Sequence, residues 1–346
     1  MSGQTKSPKS MVSPSFAIVP LRIVVGWMFL SAFHRRVLLD ADKLVPDAAG
    51  YIGHKFNQFM PGAILGVDTM IASLLDNPEA LHVFLWTFTI IEALVGLALI
   101  VGLGTRFAAL GVTLLSAGIL FGAGWLGPTC LDEWQIGAMG IAGGMVLMLG
   151  GSGGWSLDSW VAKTRPKLFE NRWVRWAADP NIAAPPAVAA ALTVIAVFVT
   201  LATNQVFHGG LWGTLHNDSV RPKVVVLDAS VESDGEIRLT LERPAGPETY
   251  GAFIVEVRVL DEHDAVVRHY DTADLAALDP EQIENRWLVQ VRVGPHGLVI
   301  PLGAQATIQL PAEDGALGSG NYQIELEDVS GVRWRGALAG GQLGLL

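Results

Sequence analysis

The sequence predicts a membrane-embedded all-α bundle of four helices, a fifth transmembrane helix, and a C-terminal all-β sandwich of immunoglobulin-like type. Composition is the first observation: 51% of the 346 residues are hydrophobic, 16% are charged, and mean hydropathy is +0.40. Such a chain belongs to a bilayer. The second is a change of period, from long apolar runs before residue 206 to alternating apolar and polar residues after 213. Charge changes with it, because residues 1–217 carry thirteen Lys/Arg against twelve Asp/Glu, and residues 218–346 carry ten against twenty-one. Two kinds of domain follow. A net charge of -10 with no basic stripe argues against a nucleic-acid partner, since phosphate neutralisation needs clustered cations.

A bilayer core takes about 20 apolar residues per helix, and five stretches qualify: 16–39, 81–103, 105–124, 134–151 and 186–206. The first is too long for a signal peptide, contains Arg22, and lacks a small-x-small cleavage site, so it is expected to be retained. Residues 1–151 then form a four-helix unit. Within it, 40–80 reads as two short amphipathic pieces broken at Met60-Pro61-Gly62 and Asn77-Pro78, a cap over the bundle. The linker 152–185 interleaves Trp155, Trp160, Trp173 and Trp176 with Lys163, Arg165, Lys167, Arg172 and Arg175, the composition of an interfacial segment. The positive-inside bias places that linker, Lys6, Lys9 and the turn at Arg106 in the cytoplasm. Residues 40–80, 125–133 and 207–346 then face the periplasm of a bacterial or archaeal inner membrane.

After 207, strands are expected at 223–227, 236–241, 253–259, 287–293, 306–310 and 322–326, separated by turns such as Ser233-Asp234-Gly235. About eight short antiparallel strands fit a sandwich. His208, His216, His263 and His269 show no paired ligand spacing, and no metal site is expected there.

Three features point to chemistry. Cys130 is the only cysteine, set in the polar hairpin 127–137 between two apolar segments, where it is either a reactive thiol or a small buried filler. Arg35 and Arg36 sit at the outer end of the first helix against the charge bias, either snorkelling or holding an anion. Glu92 falls near the middle of an apolar helix, where an unpaired carboxylate costs several kcal/mol. Arg22 is its expected partner. There is no Cys-x-x-Cys-His haem attachment, no cysteine set for an iron-sulfur cluster, and no dinucleotide fingerprint, so haem, flavin and cluster cofactors are not expected.

Arg22, the run Glu92 to Gly104-Thr105-Arg106, and the first bundle resemble the DoxX-like membrane family. The hairpin Gly127 to Gly137 resembles DoxD, and the fifth helix with His208-Gly209-Gly210-Leu211-Trp212-Gly213-Thr214-Leu215-His216-Asn217 and the β-domain resembles DoxA. The chain is therefore similar to a DoxD-DoxA fusion of small and large subunits of thiosulfate:quinone oxidoreductase. That resemblance implies oxidation of two thiosulfates to tetrathionate, with a diffusible membrane quinone as electron acceptor.

Within it, Cys130 is the expected nucleophile, His34, Asp132 and Glu133 are expected to move protons, and Arg35, Arg36 and Trp125 to contact the sulfur anion. Asp132 and Glu133 have a second reading as caps of the following helix, and Trp125 and Trp134 one as interfacial anchors. Arg22, Trp27, Trp86, Glu92 and Arg106 are the expected quinone contacts, with Glu92 read either as a proton donor to the head group or as half of a structural ion pair. A transporter for a small sulfur anion and a noncatalytic scaffold presenting a β-domain remain the alternatives, with homo-oligomerisation left open.

Overall fold

The computed structural model describes residues 14–127, 133–180, 184–248, 251–312, 317 and 320–339. Cys130, Asp132, Lys6 and Lys9 lie outside the described residues. Five main helices follow one another: α1 (Val19–Phe33), α2 (Pro78–Val101), α3 (Thr105–Ala123), α4 (Glu133–Gly150) and α5 (Pro186–Phe207). Among the described residues α2, α3 and α5 are long and apolar enough to cross a membrane, and α4 is apolar over the shorter Trp134–Gly150. At α1 the α-helical part has 15 residues and runs directly into a six-residue π-helix, His34–Leu39.

Local sequence explains the ends. Helix α2 opens at Pro78 after Asn77, whose side chain accepts the Ala80 amide at 3.1 Å, and it stops where Gly102 adopts a φ of +69°. Two chain approaches require glycine in the bundle. A Cβ on Gly26 would lie 2.8 Å from the Gly96 carbonyl oxygen, and one on Gly144 would lie 2.3 Å from the Thr113 hydroxyl. Small residues thus let α1 meet α2 and α4 meet α3, and Val25, Phe29, Leu99, Ala109, Val112 and Leu147 fill the core between them. Helix α5 is apolar around its circumference and almost bare of protein neighbours, as a lipid-facing span is.

Among the described residues ten strands follow: β1 (Lys223–Val231), β2 (Ile237–Ala245), β3 (Ala252–Leu260), β4 (Val266–Tyr270), β5 (Ile283–Asn285), β6 (Arg292–Gly294), β7 (Gly297–Ile300), β8 (Gln305–Leu310), β9 (Tyr322–Asp328) and β10 (Arg333–Leu338). One sheet has the order β1-β2-β8-β5, the other β10-β9-β3-β7-β6, with β4 also on β3. All named pairs are antiparallel. These neighbours match the two sheets of an immunoglobulin-like sandwich, and alternate residues such as Leu239, Leu241, Val257, Val259, Ile308 and Leu326 meet in a common core. Arg243 is fully buried and donates to the Ala245, Pro247 and Ile300 carbonyls; burial lowers its pKa to about 10.

Two expectations are corrected. The run 287–293 is a strand only at Arg292–Gly294, because the Asn285 side chain donates to the Val291 carbonyl and accepts its amide, closing a loop in place of a ladder. The 40–80 segment, expected to belong with the four-helix bundle, divides. By compactness one unit holds the chain up to Ala48 with Val83–Leu120 and Gln135–Thr203; the other holds Ala49–His82, Phe121–Trp134 and the chain from Asn204. The reason is polar. Helix Gly53–Phe59 presents Asn57, fully buried, whose amide nitrogen donates to the Gly303 carbonyl and whose oxygen accepts the Val289 amide, both at 2.8 Å. Lys55 adds an ion pair with Glu248.

Asn57→Ala strips partners from two buried backbone groups and should lower stability by about 2–6 kcal/mol, since each such loss costs about 1–3 kcal/mol. Denaturant unfolding of the purified chain reads this directly, and an unchanged midpoint contradicts the anchoring role.

Candidate functional site

The bundle carries one ion pair that an apolar medium makes consequential. Glu92 projects from the apolar stretch of α2 with its side chain 4% exposed, and the Arg36 guanidinium meets its carboxylate. Arg36 also donates to the Thr89 hydroxyl at 3.3 Å, and its guanidinium carbon lies 5.8 Å from the centre of the Phe88 ring. Phe88, Thr89 and Glu92 fall at helical spacings of three and four, so they share a face. Arg36 reaches that face from the π-helix, in which one extra residue per turn re-aims the side chains, a feature frequent at functional sites. The turn closes with the Asp40 amide on the Arg35 carbonyl at 3.1 Å.

This pairing corrects the expectation of a Glu92–Arg22 bridge. Arg22 is 1% exposed and donates to the Ser152 and Trp155 carbonyls, each at 2.8 Å. Arg106 is buried likewise, donating to Met148 at 2.9 Å, Asp179 at 2.7 Å and Trp176 at 3.3 Å. Both cations close backbone carbonyls that follow or end α4, a use that favours positive charge at a helix C-terminus. Arg22 and Arg106 thus latch helix ends, and the cation that the structure sets against Glu92 is Arg36. Asp158 is their counterpart, accepting the amides of Gly104 and Thr105 and the Thr105 hydroxyl at the start of α3. Burial pushes its carboxyl above the ordinary range, while those hydrogen bonds and Arg22 pull it back.

The other expected residues disperse. Arg35 is exposed and donates to the Ser31 carbonyl at 3.3 Å. His34 lies 6.3 Å from the Trp27 ring, which is largely exposed on α1. Trp86 is partly exposed on α2, and the ring beside Arg36 is Phe88 instead. Cys130 and Asp132 are outside the described residues; of Glu133 only its place at the start of α4 is described. Trp125, in the unit that holds the β-domain, is 5% exposed; its ring nitrogen donates to the Phe59 carbonyl at 3.2 Å, and its face occupies the space a Cβ on Gly62 would need. It walls a cavity of about 240 Å³ with Asp218, Lys223 and Phe207. The described arm of the cysteine hairpin is held in the same unit, where the Ser219 hydroxyl donates to the Gly127 carbonyl at 3.1 Å.

Sequence reasoning found both ends of the ion pair without joining them, and it missed Phe88 and Thr89. Their signal was the 88–89–92 spacing beside an intramembrane acid. His208, one of the histidines without paired ligand spacing, is 2% exposed. Burial first, then the neighbouring His216, holds its ring below the usual histidine range.

Removing one partner of the pair leaves a buried charge uncompensated, so Arg36→Gln should cost about 3–5 kcal/mol, and adding Glu92→Gln should restore much of it. A double-mutant cycle on thermal unfolding in detergent checks this, with additive losses as the contrary result. For His208 the folded ring binds a proton more weakly than the unfolded chain. Stability is therefore full above the unfolded pKa near 6.5 and is lost as pH falls through it toward the lower folded value. His208→Gln should flatten the fall in melting temperature between about pH 8 and pH 5.

Family models match the chain in tandem: "TQO small subunit DoxD" over residues 17–183 and "TQO small subunit DoxA" over residues 207–337. Both are described as small subunits, which corrects the small and large pairing expected from the sequence. Among solved structures, a chain titled "Structure of Iho670 Flagellar-like Filament" aligns at 11% identity with a TM-score of 0.22, covering 44% of this chain and 98% of that one.

Proposed function

The chain belongs to the DoxD and DoxA families, joined in one polypeptide, and from that premise we propose that it is a membrane thiosulfate:quinone oxidoreductase that makes tetrathionate. The single observation that supports the chemical reading is the Arg36–Glu92 pair, a proton-exchanging carboxylate and a fixed cation beside an aromatic ring at the depth of an apolar helix. Quinone reduction there needs two electrons and two protons. A carboxylate held by a guanidinium passes protons, and the same guanidinium donates to a quinone oxygen.

In the proposed sequence, the Cys130 thiolate and the sulfane sulfur of one thiosulfate join as a sulfur-sulfur bond, and the two electrons released go to the quinone, which takes up two protons. A second thiosulfate then attacks that sulfane sulfur; tetrathionate leaves and the thiolate returns, a thiol-disulfide exchange. No step needs a metal or a haem. Arg35 supplies an exposed cation for the anion, and His34 a proton carrier near it. The N-terminus and the linker 152–185 are assigned to the cytoplasm, and the β-domain with the cysteine hairpin to the periplasm.

Cys130→Ser should abolish thiosulfate-dependent quinone reduction and tetrathionate formation by the purified chain. Glu92→Gln should slow quinone reduction by about 10²–10⁴-fold while leaving alkylation of the Cys130 thiol unchanged. Normal turnover by the cysteine variant removes the thiol from the reaction.

A further inference from the structure

The linker between α4 and α5 carries a built basic and aromatic groove. Its short helix Arg172–Ala178 is capped by Asn171, whose side chain accepts the Trp173 amide at 2.8 Å, and presents Arg172, Trp173, Arg175 and Trp176. These four line a groove of about 340 Å³. Two attachments hold it. Trp176 packs edge-on against Phe107 of α3 at 5.2 Å between ring centres, and its carbonyl accepts the Arg106 guanidinium. The Arg172 guanidinium stands 5.4 Å from the centre of the Trp173 ring, which orients it.

Charge defines the occupant. Lys163, Arg165, Lys167, Arg172 and Arg175 of the linker are all exposed, whereas of its carboxylates Glu170 alone is, Asp158 being buried against the start of α3 and Asp179 half-buried. Among the described residues neither Arg172 nor Arg175 has an ion-pair partner. Trp173, at 64% exposure, leaves much of its indole surface open beside these cations. Free phosphate would satisfy the guanidinium groups and leave the indoles in water; a lipid satisfies both, with its phosphate on the arginines and its glycerol and upper acyl carbons on the rings.

We propose that this groove is a binding site for the phosphate head group of an anionic phospholipid. It gives the linker a chemical partner beyond a general place at the interface, and because Arg106 and Phe107 hold the groove, the lipid is tied to the start of α3.

The test uses the full chain in neutral detergent, titrated with phosphatidylglycerol or phosphatidylcholine and read by native mass spectrometry. The wild type should retain phosphatidylglycerol preferentially. Arg172→Gln with Arg175→Gln should weaken that retention roughly thirtyfold, about fivefold for each interfacial cation, and Lys163→Gln with Lys167→Gln should weaken it much less. A second readout needs no charge variant: brominated phosphatidylglycerol should quench tryptophan fluorescence more than brominated phosphatidylcholine, and Trp173→Phe should remove most of the difference. Equal retention of the two lipids, equal loss in both double variants, or displacement of the lipid by inorganic phosphate overturns the proposal.

Discussion

A carboxylate within an apolar helix must find a cation, and in this protein that requirement joins the π-helix after α1 to α2 through Arg36 and Glu92. Water screens such a pair at a surface, but lipid and packed side chains do not, so each partner makes the other necessary. The π-helix follows from the same demand. A regular helix would carry positions 34–39 past α2 at a different angle, and the widened turn brings Arg36 onto the face of Phe88, Thr89 and Glu92.

The opposite ends of the helices obey a related rule, that backbone groups at helix termini need partners where water is scarce. Arg22 and Arg106 close carbonyls after and at the end of α4, and Asp158 closes the amides that start α3. Three charged side chains that look costly in an apolar chain are therefore latches. Gly26 and Gly96 permit the helix contact between these polar ends, since a Cβ on either would strike the backbone of the other helix. The Arg36–Glu92 pair thus sits in a bundle whose ends are polar and whose middle is close-packed.

The β-domain is organised by alternation instead, with apolar residues of both sheets facing one core. Its irregular part is where it meets chain from outside the sandwich: the stretch after Asn285 leaves the ladder and offers the Val289 amide to Asn57. Ser219 holds Gly127, so the arm leading to the cysteine hairpin is anchored by the residues that open the DoxA domain. Joining the two families in one polypeptide makes that anchor intramolecular, with no association entropy to overcome.

Sequence by itself determined an apolar helical part followed by a two-sheet β-domain, because apolar length, period and charge asymmetry are properties of consecutive residues, although of the five spans it led us to expect three are long and apolar enough to cross a membrane among the described residues. It also singled out Arg36 and Glu92, since a charge in an apolar run is visible without a structure. Which cation faces Glu92 was decided by tertiary structure, for Arg22 and Arg36 are both on the first helical run and only the crossing with α2 and the π-turn choose between them. The same holds for Arg106 as a helix-end latch and for Asn57, whose partners lie more than two hundred residues away at Val289 and Gly303. Contacts of that range depend on how elements meet in space, and no local pattern encodes them.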